Sequence, residues 1–286
     1  MADKFEPAFD CIDHLVSRRP FRVLRCSSCG FLFTQNIPEP GDILSYYDSP
    51  DYISHTGGKK GISDLLYSLS RTIMLGKKAR TIKMFTGLKS GSLLDIGAGA
   101  GFFVRKMTGR GWKAEGVELS DTARRYALMR NGVELREELS GLPADSGTFD
   151  AATMWHVLEH LHQPDRYLDT VFNLLGSGGI LVIAAPNPQS ADARHYGSSW
   201  AAFDVPRHLW HFDRSNLTRF VSEHGFRLVS VRRMPFDSFY IPVLSERNRN
   251  KRFPMIAGLT KGCLFWLESL VLKSRSSSLM YVFRKE

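Results

Sequence analysis

Three glycines between two acidic residues are the cluster in this chain best suited to chemistry. Asp95 opens the run Asp-Ile-Gly-Ala-Gly-Ala-Gly, which places glycines at 97, 99 and 101, and Glu118 ends the next apolar stretch. Glycine leaves room where a Cβ would clash with a ligand. A glycine turn after one strand, with an acid about twenty residues later, is how doubly wound α/β sheets hold an adenosine-containing cofactor.

The turn departs from the dinucleotide pattern Gly-x-Gly-x-x-Gly because position 102 is Phe. Asp95 at the start of the turn would repel a pyrophosphate, whereas its carboxylate suits a cationic cofactor with an ammonium group. S-adenosylmethionine (SAM) is such a cofactor. The sequence therefore favours a SAM site over a dinucleotide site.

Residues 90 to about 235 resemble the class I SAM-dependent methyltransferases. Four blocks carry the resemblance in the family's order and spacing: Asp95 to Gly101 with Glu118, 147–161, 174–183, and Pro186-Asn187. The resemblance implies that Asp95 and the glycines lie under the methionine portion of SAM and that Glu118 binds the ribose. The full set of predicted cofactor-binding residues is Asp95, Gly97, Ala98, Gly99, Gly101, Phe102, Glu118, Leu119, Ser120, Glu138, Leu139, Trp155 and His156.

His156 is the first candidate for the general base, since a histidine with a pKa near neutrality suits the removal of an acceptor's proton. A histidine that only contacts SAM is an equally good interpretation. His156, Glu159 and His160 also match the His-x-x-Glu-His pattern of some zinc peptidases. The sequence shows no third ligand, and the run follows a strand at the cofactor edge, so we do not interpret it as a peptidase site.

The run from Trp200 to Phe212 lies where the family places substrate contacts. We predict that His208 is the second catalytic candidate and that the substrate is bound by Tyr52, Trp200, Asp204, Arg207 and His211. An arginine could bind a phosphate or carboxylate through two parallel hydrogen bonds. A structural hairpin packed by its tryptophans is the alternative. The resemblance also implies that the segment before the first strand folds over the cofactor as a lid, from which Tyr52, His55 or Lys78 is expected to approach SAM or substrate.

The N-terminal forty residues contain a second pattern. Cys11 and His14 are three positions apart, as are Cys26 and Cys29, and a short apolar stretch separates the pairs. This spacing predicts a structural zinc site with Cys11, His14, Cys26 and Cys29 as ligands, and Asp13 could replace His14. The alternative is a cysteine pair without metal. Small zinc ribbons of this kind resemble those of deoxysugar C-methyltransferases.

Alternating apolar strands and helical segments predict an α/β fold with a doubly wound, Rossmann-like, seven-stranded sheet and a small N-terminal zinc-ribbon-like segment. Strands are expected at 92–96, 113–118, 132–136, 149–155, 178–185, 226–233 and 278–284, and the resemblance implies that the last one is antiparallel. The predicted domains are the ribbon at 1–40, a helical lid or linker at 41–90, and the SAM-binding domain at 91–286. The last contains an insertion at about 237–275.

The composition is that of a globular enzyme, with 43% hydrophobic and 23% charged residues among 286. The sequence shows no signal peptide and no transmembrane segment, so we expect a cytoplasmic protein. A net charge of +9, concentrated after residue 245, could attract an anionic metabolite, a membrane surface or nucleic acid, or only aid solubility. We expect no stable nucleic-acid partner because no such motif accompanies the charge.

The broken apolar stretch within 245–275 leaves three interpretations open: an interfacial helix at a membrane or lipid-linked substrate, a cover over the substrate, or a homodimer contact. The sequence as a whole predicts a SAM-dependent methyltransferase that modifies oxygen or carbon of a small molecule. The resemblance suggests a sugar nucleotide, a glycan precursor or a lipid- or quinone-like compound. The alternatives are an RNA or protein methyltransferase and a non-catalytic SAM-binding protein.

Overall fold

A computed structural model describes residues 4–47, 62–142 and 147–286. The strands of this part of the chain are β1 Phe5–Ile12, β2 Pro20–Cys26, β3 Leu32–Thr34, β4 Ser92–Ile96, β5 Lys113–Val117, β6 Phe149–Trp155, β7 Leu175–Pro186, β8 Trp210–His211, β9 Phe226–Arg233 and β10 Ser278–Lys285. The α-helices are α1 Ile62–Thr86, α2 Phe102–Thr108, α3 Asp121–Tyr126, α4 Pro164–Leu174, α5 Ala191–Tyr196, α6 Arg214–Ser222, α7 Asp237–Asn248 and α8 Pro254–Val271. Tyr52 and His55 lie outside the described residues.

The central sheet has the strand order β5-β4-β6-β7-β10-β9. The four strands from β5 to β7 run parallel, and β10 is antiparallel to both of its neighbours. Successive side chains of a strand point to opposite faces of the sheet. Leu93 accordingly packs with Phe103 and Met107 of α2, while Leu94 packs with Leu168 of α4. The predicted α/β fold and antiparallel last strand are confirmed.

The sheet has six strands in the described residues, not the predicted seven. The expected strand at 132–136 forms a single parallel bridge, between Val117 and Arg136. A π-helical turn at Ala127–Asn131 and a left-handed Gly132, with φ of 63°, precede this segment. The chain therefore reaches the edge of β5 only at Arg136, although its buried Val133 and Leu135 still alternate with exposed neighbours.

A second, antiparallel sheet has the order β1-β2-β3-β8 and covers the loop region that follows β7. Its last strand, β8, comes from residues far along the chain, so the N-terminal hairpin is built onto the central domain. Asp13 shapes the turn after β1, where its carboxylate accepts hydrogen bonds from the backbone N–H groups of Leu15 and Ser17 and from the Ser17 hydroxyl.

The zinc site predicted from Cys11, His14, Cys26 and Cys29 is wrong, because the register of this hairpin separates its ligands. Cys11 pairs with Phe21, five positions along β2 from Cys26. At 3.3–3.4 Å per residue, that separation is roughly 17 Å, far beyond the reach of one ion. Burial, with Asp10 nearby, also raises the pKa of the Cys11 thiol to about 12.

Helices α7 and α8 form an antiparallel pair between β9 and β10, in the segment that we interpreted as an insertion. They pack closely because α8 presents small residues to α7. A Cβ on Gly258 would lie 2.4 Å from the Val243 Cα, and one on Gly262 would lie 2.5 Å from the Ser238 carbonyl oxygen. None of the helices in the described ranges is long and apolar enough to cross a lipid bilayer.

Candidate active site

The glycine turn connects the end of β4 to the start of α2. Gly97, Gly99 and Gly101 have φ values of 67°, 54° and 73°, a left-handed conformation that favours glycine. A Cβ on Gly97 would lie 2.4 Å from the Val157 Cγ2, whereas a Cβ on Gly99 would meet no protein atom within 4 Å. Gly97 is therefore required by packing, and the space beside Gly99 is open.

Glu118 holds this turn in place from the end of β5. Its Oε2 accepts a hydrogen bond from the Gly99 N–H at 2.8 Å, and its Oε1 accepts one from the Ser120 N–H at 2.9 Å. Ser120 caps α3 by accepting the Ala123 N–H, as expected for this residue type. Leu119 between them is 60% exposed. The carboxylate therefore joins the glycine turn to the loop that follows β5.

Asp95 is a buried carboxylate directly beneath the turn, only 2% exposed. The Thr153 hydroxyl of β6 donates a hydrogen bond to its Oδ1 at 2.5 Å. Burial raises the pKa of Asp95 to about 6, against the opposing effects of Thr153 and Lys78. The protein therefore stabilises the charged form of Asp95 only in part, and a cationic ligand would stabilise it further.

Lys78 and Trp155 meet beside this carboxylate. The Lys78 Nζ lies 4.2 Å from the centre of the Trp155 ring, and Phe103 packs edge-on against the same ring. The Trp155 Nε1 is buried and has no hydrogen-bond partner among the described residues. Burial lowers the pKa of Lys78 to about 8, although Asp95 and Asp237 act in the opposite direction. This placement is consistent with the expectation that Lys78 approaches the cofactor region.

His156 follows β6 in a left-handed conformation, with φ of 58°. Its Nδ1 lies 3.4 Å from Glu159 Oε1, and its Nε2 lies 3.2 Å from Asp237 Oδ2. Burial lowers the pKa of this imidazole, but the two carboxylates outweigh burial and raise it to about 10. A cationic imidazole cannot accept a proton, so this arrangement suits an electrostatic and positioning role better than the predicted role of general base.

These residues fit SAM. The left-handed turn leaves open space beside Gly99, Asp95 offers a buried negative charge, and Trp155 offers an unpartnered N–H. Ala98 and Phe102 lie in the same turn, and the Arg71 guanidinium lies 4.0 Å from the Phe102 ring centre. Farther out, Leu139 packs against the core beside β6, and the exposed Glu138 accepts a hydrogen bond from the Ser140 hydroxyl.

A second polar cluster lies behind His156. Glu159, His160 and His208 each offer one ligand atom, and these atoms all lie within 4.8 Å of one another. The Nδ1 of His208 lies 2.9 Å from the Ala202 carbonyl oxygen, and that of His160 lies 3.0 Å from the Arg207 carbonyl oxygen. Two imidazoles oriented by backbone carbonyls, with one carboxylate, could hold a divalent transition metal. This cluster contains Glu159 and His160 of the sequence pattern together with His208, and His156 is not part of it.

The other predicted substrate contacts lie inside the protein. Trp200 is 2% exposed, and its indole N–H donates to Asp192. His211 is buried against Phe203, and its Nε2 lies 3.1 Å from the Thr34 hydroxyl. Burial, together with the nearby His208, lowers the pKa of His211 to about 3. These two side chains join the loop to the N-terminal sheet, as the structural-hairpin alternative expects.

Arg207 is also committed to internal partners. Its guanidinium donates to both carboxylate oxygens of Asp204, at 2.7–3.0 Å, to Asp13 at 3.0 Å and to the Tyr46 carbonyl at 3.0 Å. Arg207 is 1% exposed and Asp13 is fully buried. Each of its three nitrogens therefore has a protein partner, which leaves Arg207 poorly placed to bind a phosphate and Asp204 paired with Arg207.

Two residues near the reaction centre were not predicted from the sequence. Thr153 supports Asp95 from β6, and Asp237 reaches His156 from the first turn of α7. Thr153 lies inside a predicted strand, whose end the sequence already assigned to the site. Asp237 stands alone in a segment without a motif, so no signal in the sequence connects it to His156.

Known proteins share this domain. A family model described as a methyltransferase domain matches residues 72–231, more than half of the chain. The ubiquinone biosynthesis O-methyltransferase of Azoarcus sp. (strain BH72) is 26% identical over 53% of this chain and 70% of its own length. That of Caulobacter sp. (strain K31) is 33% identical over 36% of this chain and 42% of its own length.

Solved structures agree in fold. A putative sarcosine dimethylglycine methyltransferase from Galdieria sulphuraria matches 81% of this chain and 92% of its own length, with a TM-score of 0.52 and 15% identity. The [4+2]-cyclase SpnF matches 73% of this chain and 80% of its own length, with a TM-score of 0.51 and 18% identity. At such identities the likeness concerns the fold alone. The family match, the fold and the glycine turn together show that the chain belongs to the methyltransferase-domain family, in the class I SAM-dependent group.

Proposed function

We propose that this protein transfers a methyl group from SAM to the oxygen or carbon of a small-molecule acceptor. The observation that carries the proposal is the glycine turn clasped by Glu118, which lies beside Asp95, Lys78 and Trp155 at the carboxyl edge of the sheet. Ligands of open α/β sheets bind at this edge. Membership of the methyltransferase family supports the same reaction.

The chain's own residues would hold the cofactor through charge and hydrogen bonding. Glu118 would bind the ribose hydroxyls, and Asp95 would stabilise positive charge near the turn. When bound, SAM supplies a methyl group that is already activated on a sulfonium. The protein's remaining task is to place the acceptor atom in line with that methyl group and to exclude water, which can lower the barrier by several kcal/mol.

Lys78 is our candidate for removing the acceptor's proton. Its pKa of about 8 leaves a usable fraction of neutral amine near pH 7, and a cation bound beside it would disfavour the protonated form further. His156, held cationic between Asp237 and Glu159, would fix Asp237 and stabilise negative charge that develops on an acceptor oxygen. The proton of a hydroxyl acceptor would then pass to the Lys78 Nζ as the oxygen–methyl bond forms.

Within the acceptor classes that the sequence leaves open, we favour a hydroxylated, lipid-like ring. The curated relatives act, by name, in ubiquinone biosynthesis as O-methyltransferases. Arg207, which would have bound the phosphate of a sugar nucleotide, is fully committed to Asp13 and Asp204. Besides the carboxylates of Asp95 and Asp237, the half-buried ring of Trp155 lies beside Lys78, and its face suits an apolar ring.

The test is incubation of the purified protein with methyl-labelled SAM and a panel of acceptors, followed by mass spectrometry of the products. The panel contains hydroxylated aromatic lipids, sugar nucleotides, total RNA and protein. We expect label in the aromatic lipids. Label confined to RNA, protein or sugar nucleotides would contradict the acceptor class. Tight SAM binding without label in any acceptor would favour the non-catalytic alternative, or a different reaction on this fold, over methyl transfer.

A further inference from the structure

Helix α8 turns an apolar face to solvent. We define the α8 face by six exposed side chains: Ile256, Leu259, Leu264, Leu267, Leu270 and Val271. At 100° per residue these positions span an arc of about 140° around the helix. Individual exposures reach 66% at Ile256 and 82% at Val271. A contiguous apolar surface of this kind on a protein marks an interaction site.

Polar groups do not interrupt the α8 face. Thr260 falls within the arc, but its hydroxyl donates back to the Ile256 and Ala257 carbonyl oxygens of the same helix. The opposite side of α8 carries Gly258 and Gly262, which lie against α7 so closely that a Cβ would clash with backbone atoms. The helix therefore cannot rotate to bury its apolar side chains within the same chain.

Positive charge lies at both ends of this face. Lys251 and Arg252 precede the helix and Lys273 follows it, all exposed. The nearby acids are already paired: Glu246 is buried and bound by Lys261, and Glu268 contacts both Arg194 and Arg275. An apolar helix face bordered by lysine and arginine is the pattern of helices that lie in the interface of an anionic membrane.

We propose that the α8 face docks this protein on an anionic lipid surface, with α8 lying in the plane of the headgroups. A second copy of the chain is a poorer occupant, because a symmetric dimer would bring the same lysines and arginines close to one another. A nucleic acid would meet apolar side chains where it needs donors and cations. A lipid surface satisfies both the apolar arc and the basic border.

The docked helix is directly connected to the reaction centre. Helix α7, against which α8 packs, begins at Asp237, whose carboxylate contacts His156 at 3.2 Å. Docking would therefore place the candidate active site close to the membrane surface, where a lipid-like acceptor dissolves. This second step, unlike the docking itself, rests on the proposed function.

The test is flotation with vesicles of phosphatidylcholine, with or without phosphatidylglycerol, at about 0.1 M and about 1 M salt. The wild-type protein should bind the vesicles that contain phosphatidylglycerol, more weakly at high salt. A Leu264→Gln/Leu267→Gln/Val271→Gln variant should bind at least about tenfold more weakly, because it loses apolar area. A Lys251→Gln/Arg252→Gln/Lys273→Gln variant should lose the preference for the anionic lipid.

The matched control is Leu128→Gln/Met129→Gln, which changes two apolar side chains that are 57% and 75% exposed elsewhere on the surface. It should bind vesicles like the wild type. Absence of wild-type binding, or equal binding by the α8 variant, would overturn the proposal. The proposal would also be overturned if the wild-type protein formed a dimer in sedimentation equilibrium, the α8 variant did not, and no vesicle binding were seen. SAM affinity, measured for every variant, should not change, which separates a failure of docking from a failure of the proposed function.

Discussion

Replacing Arg207 by Met should lower the free energy of unfolding by about 3–5 kcal/mol, the cost of removing one partner from a buried ion pair. The guanidinium is 1% exposed and is the charge partner of the buried Asp13 and of Asp204. Without it, Asp13 would remain charged in the interior with only the hydrogen bonds of its own turn. Chemical denaturation followed by circular dichroism measures the loss.

The matched control for this prediction is Arg22→Met. Arg22 also pairs with an aspartate, at 2.9 Å from Asp10, but both side chains are about half exposed, at 51% and 54%. That variant should lose far less stability than Arg207→Met, because water screens an exposed ion pair. If Arg207→Met does not fold, Arg207→Met/Asp204→Asn should recover part of the stability, because it removes one of the stranded charges. If the Arg207→Met protein were as stable as the wild type but bound the acceptor more weakly, Arg207 would be a substrate-binding residue and not a structural one.

Replacing Lys78 by Met should lower kcat by about 10²–10³ through the loss of the proton acceptor. The affinity for SAM should hold or improve, because the substitution removes a positive charge from beside Asp95. The neutral amine is the active form, and a bound cation lowers the pKa of Lys78 below its value of about 8 in the free protein, so the wild-type rate should rise with pH and level off below about pH 8. This rising limb should disappear in the variant. Initial rates across a pH series, with SAM saturating, measure both effects.

Two further variants separate proton transfer from charge. Lys78→Arg keeps the positive charge but cannot lose its proton at these pH values, so it should be as inactive as Lys78→Met. Lys77→Met changes the neighbouring exposed lysine and should retain the wild-type rate within about twofold, as expected of a surface substitution. A Lys78→Arg protein with the wild-type rate, or a rising limb that persists without Lys78, would rule out Lys78 as the base.

The central part of the fold could be predicted because its signals are local. The strands at 92–96 and 149–155 are short, mainly apolar runs bounded by turns, and the strand at 226–233 mixes apolar and polar residues; all three lie where the sequence predicts them. The glycine turn and Glu118 belong to one strand–turn–helix–strand unit, and they meet through the Gly99 N–H. The strand expected at 132–136 does not form. A π-helical turn, which has no sequence signature here, precedes it, so the chain reaches the sheet edge only at Arg136.

The zinc prediction and the role of Arg207 failed because both depend on contacts between distant parts of the chain. The spacing of Cys26 and Cys29 is local, but whether Cys11 can join them depends on the register of β1 against β2. A shift of a few residues in that register decides whether four ligands can converge. Arg207 and Asp13 are 194 residues apart in sequence, and no motif links them.

His156 shows the same limit at the reaction centre. A histidine at the end of β6 could be predicted from the resemblance, but its protonation could not. Glu159 is three residues away, whereas Asp237 comes from α7, beyond the part of the chain that resembles the family. Because both carboxylates contact the ring, the pKa rises to about 10 rather than remaining near neutrality.

Calorimetric titration with SAM tests the cofactor site most directly. The wild-type protein should bind SAM with micromolar affinity, and Glu118→Ala and Asp95→Asn should each weaken binding by about tenfold or more, on the order of 1.4 kcal/mol. Glu134→Ala, which changes an exposed acid near Glu118's loop, should bind like the wild type. Thermal unfolding of each variant confirms that it is folded. A wild-type protein that does not bind SAM, or binding that neither Glu118 nor Asp95 affects, would contradict the assignment of the glycine turn to this cofactor.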